Sequence, residues 1–174
     1  MSCAPFVHTP VEVARKMIQL ADLKLGQKLF DLGAGDGRLV IMAAKETGAS
    51  SIGVEMEEDL VERARSEIKR LSLEDRVSMI HDDFFKVDLS GADVVILYLS
   101  PSGNERLQPK LEQELKKGTR VISHAFEVGN WKPSEVHTTY VMIRSRAITS
   151  DDPIIDPSTM SLHKIYLYKI GEQL

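Results

Sequence analysis

Three glycines alternate with other residues directly after an aspartate near residue 30. The segment DLGAGDGR, residues 31–38, carries Gly33, Gly35 and Gly37, and it lies between a short apolar run and a helix-like run. Glycine lets a chain turn sharply and lets a ligand approach main-chain N–H groups without interference from a Cβ atom. The spacing therefore predicts a loop that holds a nucleotide-like ligand.

Two carboxylates, Asp31 and Asp36, flank this loop. A dinucleotide site usually has the pattern G-x-G-x-x-G with no acid in its path, because the pyrophosphate binds at the helix N-terminus. The two carboxylates would repel a pyrophosphate, whereas they suit a ligand that carries an ammonium and a sulfonium. S-adenosylmethionine carries both groups, so the sequence predicts a site for this cofactor, which uses Asp31 and the three glycines.

Acids at the ends of the next two predicted strands extend this site. Glu55 ends the predicted strand 51–55, and its two oxygens could accept hydrogen bonds from both ribose hydroxyls. Asp83 follows the predicted strand 77–81 and could accept from the adenine amino group, with Phe84 beside it. Asp82 is the competing adenine contact, and Asp83 is preferred because it directly precedes Phe84.

A regular alternation of strands and helices positions these residues. Thr9 at an N-cap, Pro10 after it and Glu12 predict the start of a first helix, whose apolar face is Val13, Met17, Ile18 and Ala21. Further predicted strands are 28–32, 93–99 and 120–126. Further predicted helices are 39–47, a helix striped by Leu60, Ala64, Ile68 and Leu71, and a helix striped by Leu107, Leu111 and Leu115 that Gly118 ends.

This alternation predicts an α/β fold with a mostly parallel sheet and helices on both faces. The segment 93–99 is almost continuously apolar, which is typical of the centre of such a sheet. Segments 136–143 and 162–170 alternate and are expected to form an antiparallel closing pair. Parallel sheets bind ligands at the carboxyl ends of their strands, which is where the glycines and acids lie.

Composition limits the other possibilities. The chain of 174 residues, 43% hydrophobic and 28% charged, fits a single domain with an N-terminal segment 1–27, a cofactor-binding core 28–126 and closing strands 127–174. The net charge of -4 argues against a nucleic-acid partner, which would need clustered Lys and Arg. Apolar runs too short for a membrane span and a start without a secretory signal predict a cytoplasmic protein. The lone Cys3 offers no metal cluster, and no metal is expected.

Several longer segments resemble the class I S-adenosylmethionine-dependent methyltransferases, and among these the archaeal protein-lysine methyltransferases, which are relatives of the lysine methyltransferases of animal mitochondria. The resemblance is carried by residues 6–10, 30–45, 53–55, 83–90 and 107–133. The family commonly begins with V-P-T-P, where this chain has His8 in place of the first proline. The resemblance implies that Thr9 helps to hold the methionine end of the cofactor. The link 144–161 is longer than the family's usual turn.

The resemblance implies a Rossmann-like seven-stranded sheet with one antiparallel closing strand, and methyl transfer to lysine side chains of proteins by direct in-line displacement. The implied partners are protein substrates with accessible lysines. No membrane partner is expected, and the expected oligomeric state is a monomer. Tyr98 and Asn104 at the fourth strand and His124 with Glu127 at the fifth are the candidates for positioning the acceptor. Tyr98 could equally be a core aromatic, and His124 a hydrogen-bonded buried imidazole.

The segment after the fourth strand bears on other methyl acceptors. Adenine-N6 and glutamine enzymes have N/D-P-P-Y/F there, whereas this chain has YLSP, residues 98–101, and catechol-type enzymes place an acid where this chain has Ser100. Cytosine-C5 enzymes need a cysteine, and Cys3 lies outside the core. The alternatives left open are an RNA or small-molecule acceptor and a module that binds the cofactor without catalysis.

Overall fold

The computed structural model describes residues 9–142 and 160–173. In these ranges the chain forms one seven-stranded sheet and four helices. The strands are β1 (Lys28–Leu32), β2 (Ser50–Glu55), β3 (Val77–His81), β4 (Val94–Leu97), β5 (Arg120–His124), β6 (Glu135–Met142) and β7 (Met160–Lys169). The helices are α1 (Val11–Ala21), α2 (Arg38–Thr47), α3 (Glu58–Arg70) and α4 (Pro101–Glu114).

The strand order is β3-β2-β1-β4-β5-β7-β6. Neighbouring strands among β1 to β5 pair in parallel, and β7 runs antiparallel to both β5 and β6. The predicted fold class, a mostly parallel sheet with an antiparallel closing strand, is confirmed. The central strand is β4, whose four residues are all buried, as its apolar sequence predicted.

Helices cover both faces of the sheet. On one face α1, α2 and α3 pack through residues such as Val13, Val40 and Ala64. On the other face α4 packs through Leu107 and Leu111. The sheet therefore has a helix layer on each side, and sheets of this kind bind ligands at the carboxyl ends of their parallel strands.

The predicted capping box of α1 is wrong. Pro10 occupies the N-cap in an extended conformation, and no side chain caps the helix there. Because Pro10 has a ψ of 146°, the helical turn begins at Val11, one residue after its predicted first position. The predicted buried face of α1, made of Val13, Met17, Ile18 and Ala21, is confirmed.

Two other helices differ from the prediction. In α3 the buried residues are Val61, Ala64 and Ile68, so Leu60 and Leu71 lie at the margin of the apolar face. Helix α4 ends at Glu114, because Leu115 is already extended, and Gly118 lies in the turn before β5 with a φ of +88°.

The strands at the site are shorter than predicted. Strand β4 ends at Leu97 and β5 at His124, so Tyr98 and Phe126 lie beyond the strands. The closing pair was predicted correctly, although Ile143 and the link 144–159 lie outside the described residues. Among the helices described, none has the length and apolar character that crossing a bilayer requires.

Candidate active site

The glycine loop wraps around the end of β2. The N–H groups of Gly33 and Ala34 both donate to the carbonyl of Val54, at 2.9 and 3.0 Å. The φ angles of Gly33, Gly35 and Gly37 are +84°, +56° and +74°. Three left-handed residues in five are tolerated because glycine has no Cβ, which explains the residue type at all three positions.

Gly37 has a second, structural reason to be glycine. A Cβ atom there would lie 2.9 Å from Ala64 Cβ and 3.3 Å from Met79 Sδ. Gly37 therefore lets the start of α2 pack closely against α3. A Cβ on Gly33 would lie 3.3 Å from a methyl group of Leu99. The direct ligand role predicted for these residues stays a prediction.

The carboxylate of Glu55 accepts three hydrogen bonds from main-chain N–H groups. Its Oε2 accepts the N–H of Gly35 at 2.9 Å, and its Oε1 accepts the N–H groups of Met56 and Glu57 at 2.8 and 3.0 Å. A carboxylate has about four acceptor positions. Accepting both ribose hydroxyls would thus require one of these three main-chain bonds to be shared or released. The bond from Gly35 also links the predicted ribose contact to the glycine loop.

The two aspartates that flank the loop differ. Asp36 pairs with Arg38, whose Nη2 and Nε donate to it at 2.7 and 3.0 Å. Asp31 is only 6% exposed, and burial, with Glu55 and Asp36 adding negative charge nearby, raises the pKa of Asp31 to about 7. A ligand ammonium would favour the ionised form of Asp31. Arg38 neutralises the charge of Asp36, so the attraction for a cation rests more on Asp31 than on Asp36. The sequence prediction did not include this ion pair.

The turn after β3 lies next to Glu55, because the N–H of Asp82 donates to the Glu55 carbonyl at 3.2 Å. In this turn Asp83 Oδ1 accepts the N–H of Phe85 at 3.0 Å. Phe84 is buried in the core on the α4 side, whereas Phe85 is half-buried with the Arg106 guanidinium 5.0 Å from its ring centre. The ring of Phe85 is therefore more exposed to a ligand than the ring of Phe84. The sequence alone did not distinguish the two rings.

Tyr98 and His124 come together at the ends of β4 and β5. Their ring centres are 4.0 Å apart, and His124 is fully buried. Burial, with a smaller contribution from His163, lowers the pKa of His124 to about 4. His124 is therefore neutral at physiological pH.

Asn104 does not join this pair. Its Nδ2 donates to Ser123 Oγ and to the carbonyls of Phe126 and Glu127, at 3.2, 3.3 and 2.9 Å. Side chains alternate along a strand, so Ser123 and His124 point to opposite faces of β5. Asn104 thus holds the turn after β5 by hydrogen bonds from the α4 side. The sheet separates Asn104 from the Tyr98–His124 pair.

The turn after β5, residues 124–126, is tight and is followed by exposed side chains. The N–H of Phe126 donates to the carbonyl of His124 at 2.9 Å across Ala125, whose φ is +69°. A γ-turn of this hand is strained for a residue with a Cβ. After this turn the side chains of Phe126 and Glu127 are exposed, and they lie beside a groove of about 740 Å³. The groove is lined by Pro101, Glu105, Gln108, Pro109, Ala125, Phe126, Glu127, Gly129, Asn130 and Tyr166.

Thr9 lies just before α1, and its predicted contact with the cofactor stays a prediction. Arg120 Nη1 donates to the carbonyl of Asp22 at 2.9 Å, so the last turn of α1 lies at the start of β5. Helix α1 also packs on β6 and β7. Its first turn is therefore directed toward the edge where the strands end, on the same face as His124. Across residues 9–142 and 160–173, no cluster of three or more His, Cys, Asp or Glu side chains is arranged to hold a metal ion.

Comparisons with known proteins identify the family. The model of the ANTKMT methyltransferase domain matches residues 31–135. A protein-lysine N-methyltransferase of Saccharolobus islandicus (strain REY15A) is 38% identical over 97% of this chain and 94% of its own length. The adenine nucleotide translocase lysine N-methyltransferase of Mus musculus is 33% identical over 76% of this chain, which spans 57% of that relative.

A solved structure covers nearly the whole chain. The RNA methyltransferase from Salinibacter ruber, in complex with S-adenosyl-L-homocysteine, is 37% identical, with a TM-score of 0.79 over 97% of this chain and 96% of its own. A glycine loop without Cβ atoms, a buried acid and a carboxylate at the end of β2 fit the same cofactor class. The chain thus belongs to the ANTKMT methyltransferase domain family and is an S-adenosylmethionine-dependent methyltransferase.

Proposed function

We propose that this enzyme methylates lysine side chains of proteins. The observation that carries the proposal is the 38% identity to a protein-lysine N-methyltransferase over almost the full length of both chains. The surface on the α4 side of the turn after β5 supports it, because Glu105 and Glu127 line the groove there and would attract the basic surface of a protein substrate.

The bound cofactor supplies a methyl group on a positively charged sulfur. The lysine nitrogen attacks this carbon as the carbon–sulfur bond breaks, and holding the two partners in line contributes roughly 7 to 11 kcal/mol to lowering the barrier. A lysine with a reference pKa of about 10.4 must first lose a proton, and a poorly solvated site favours the neutral amine. The depressed pKa of His124 indicates such surroundings at the end of β5.

We assign the cofactor-binding residues by their places along the strand ends. The main chain at Gly33 and Gly35 approaches the cofactor, and Asp31 attracts its ammonium. Glu55 binds the ribose, and Asp83 binds the adenine amino group. In this assignment Thr9 contributes at the methionine end, and Gly37 acts through packing.

RNA is a second candidate substrate, because the Salinibacter ruber protein whose structure is similar to this one is an RNA methyltransferase. Affinity for RNA rests on Lys and Arg side chains that neutralise phosphates. Here the net charge is -4, the groove contains two glutamates, and Arg38 is paired with Asp36. These charges favour a protein lysine over a phosphate-rich substrate.

One experiment separates the two substrates. The purified enzyme is incubated with methyl-labelled S-adenosylmethionine and a cell extract that contains both proteins and RNA, and the label is located by mass spectrometry. Label on lysine is expected, whereas label in RNA alone would overturn the proposal. Glu55→Ala should remove the labelling, and Glu58→Ala, at an exposed site in the first turn of α3, should retain it.

We also propose that the chain acts as a single cytoplasmic domain and as a monomer. Val13 of the N-terminal helix shares a core with Val141 and Ile165 of the closing strands, which supports folding as one unit. Light scattering of the purified protein tests the monomer, and a single cooperative unfolding transition tests the single domain.

A further inference from the structure

Three side chains form a hydrogen-bonded chain that starts at His124. His124 Nε2 lies 2.9 Å from His163 Nδ1, and His163 Nε2 lies 2.8 Å from Ser161 Oγ. Ser161 Oγ in turn donates to the carbonyl of Val141 at 3.3 Å. The chain connects β5 through β7 to β6, across residues that are distant in sequence.

The Val141 carbonyl sets the direction of this chain, because a carbonyl can only accept. The Ser161 hydroxyl donates its proton to Val141 and therefore accepts the N–H of His163 Nε2. His163 Nδ1 is then unprotonated and accepts the N–H of His124 Nε2. The reverse direction would leave the contact between Ser161 and Val141 without a hydrogen, and would leave a buried N–H on His124 without an acceptor.

In the favoured direction, the Nδ1 atom of His124 carries a lone pair and no proton. This atom is buried, and no hydrogen-bond donor reaches it within residues 9–142 and 160–173. Buried polar atoms are nearly always paired, since an unpaired one loses its interaction with water. An unpaired acceptor next to Tyr98, at the carboxyl edge of the sheet, indicates a site where a ligand donates a hydrogen bond.

The strand order indicates which ligand this is. The cofactor residues Asp31 and Glu55 belong to β1 and β2, whereas β5 is two strands away from β1, roughly 9 to 10 Å at the spacing of a sheet. We infer that His163 and Ser161 are positioning residues that hold His124 as the Nε2–H tautomer, and that its bare Nδ1 accepts a hydrogen bond from the amine of the acceptor lysine. This inference rests on the proposed function.

The hydrogen bond fixes one N–H of the neutral amine and thereby directs the nitrogen lone pair toward the methyl carbon. The nitrogen–carbon bond forms as the carbon–sulfur bond breaks, and the electron pair of that bond stays on sulfur. The methylated ammonium then loses a proton to water after release. His124 takes up no proton in this scheme, which agrees with its lowered pKa of about 4.

The tautomer can be measured without any turnover. In a protein labelled with ¹⁵N at histidine, the protonated and bare nitrogens of a neutral imidazole have well separated chemical shifts. We expect His124 to be protonated at Nε2, and its Nδ1 resonance to move when a short lysine peptide is added with S-adenosylhomocysteine. A proton on Nδ1 would overturn the inference, whether or not lysine is the substrate. A bare Nδ1 that does not respond to the peptide would overturn the assigned ligand.

Variants of His163 test the positioning role. His163→Leu removes the acceptor of the His124 N–H and should lower kcat for a lysine peptide by about 10-fold to 100-fold, with the KM for the cofactor unchanged. His163→Asn offers an amide oxygen near the position of Nδ1 and should recover most of kcat. His137→Leu, a half-buried histidine on β6 that pairs with Glu135, is the matched control. Equal losses in the Leu and Asn variants, or no loss in either, would contradict the positioning role.

Discussion

The two halves of the site are built differently. The proposed cofactor side, at the ends of β1 to β3, is made of main-chain groups, and its central side chain, Glu55, accepts hydrogen bonds from three backbone N–H groups. The proposed acceptor side, at the ends of β4 and β5, is made of side chains that contact residues distant in sequence, such as His124 with His163 and Asn104 with the turn after β5. We therefore expect substitutions on the proposed acceptor side to leave cofactor binding unchanged.

Gly35→Arg is expected to have the largest effect, because it damages the backbone half of the site. Gly35 has a φ of +56° and donates its N–H to Glu55, so a long side chain there strains the loop and occupies the space beside it. Binding of S-adenosylmethionine should fall below detection by calorimetry. Gly91→Arg, at an exposed turn where a Cβ would meet no atom within 4 Å, should bind normally. Undiminished affinity of the Gly35 variant would reject the cofactor loop.

Asn104→Ala tests the proposed acceptor side. The substitution removes the amide donor of the Glu127 carbonyl, while the Phe126 carbonyl keeps the hydroxyl of Ser123, and it should lower the free energy of unfolding by about 2 kcal/mol. It should also raise the KM for a lysine peptide while the affinity for the cofactor stays the same. Urea unfolding and steady-state kinetics measure the two effects. A loss of cofactor affinity equal to the loss of peptide affinity would show that the halves are not separate.

Gly37→Ala tests the assignment of Gly37 to packing. A Cβ there would lie 2.9 Å from Ala64, and the left-handed φ of +74° adds strain, so the free energy of unfolding should fall by about 1 to 3 kcal/mol. Cofactor affinity of the folded fraction should change much less than in Gly35→Arg. Gly91→Ala is the control in urea unfolding. A variant as stable as the wild type would remove the packing explanation.

Asp31→Asn should give the smallest effect on stability, which is a change in its pH dependence. The pKa of Asp31 is about 7 in the folded chain and 3.8 in its unperturbed form, so the folded state binds the proton more tightly. The stability that this provides is present below pH 3.8 and is lost as the pH rises toward 7. Urea midpoints between about pH 4 and pH 7 should therefore fall less steeply in Asp31→Asn than in the wild type. Parallel curves would contradict the raised pKa.

The same contrast explains what the sequence could predict. The loop 31–38, Glu55 and the alternation of strands and helices follow from local patterns, namely glycine spacing, an acid after an apolar run and alternating periodicity. The chain from His124 to Ser161 joins residues 37 positions apart through the antiparallel register of β5 and β7, and no local pattern encodes that register. The pairing of Asp36 with Arg38 is the exception, because the two residues are close in sequence and their opposite charges were visible there.

The prediction for Asn104 shows a further limit. Its place after the fourth strand predicted a role in positioning the acceptor, and that role stays a prediction. The structure adds contacts of its amide with Ser123 and with the turn after β5, which the sequence did not indicate. Which face a side chain takes at the start of a helix depends on where the helix docks. That docking is set by Leu107 and Leu111 in the core, several residues later in the chain.

The most direct test of the whole account is the site of methylation on a peptide with a single lysine. With purified enzyme and S-adenosylmethionine, tandem mass spectrometry should place the added methyl on that lysine, and the same peptide with arginine in its place should gain none. Cell RNA added as a competitor should neither be methylated nor reduce the peptide signal. Methylated RNA with an unmodified lysine would contradict the account.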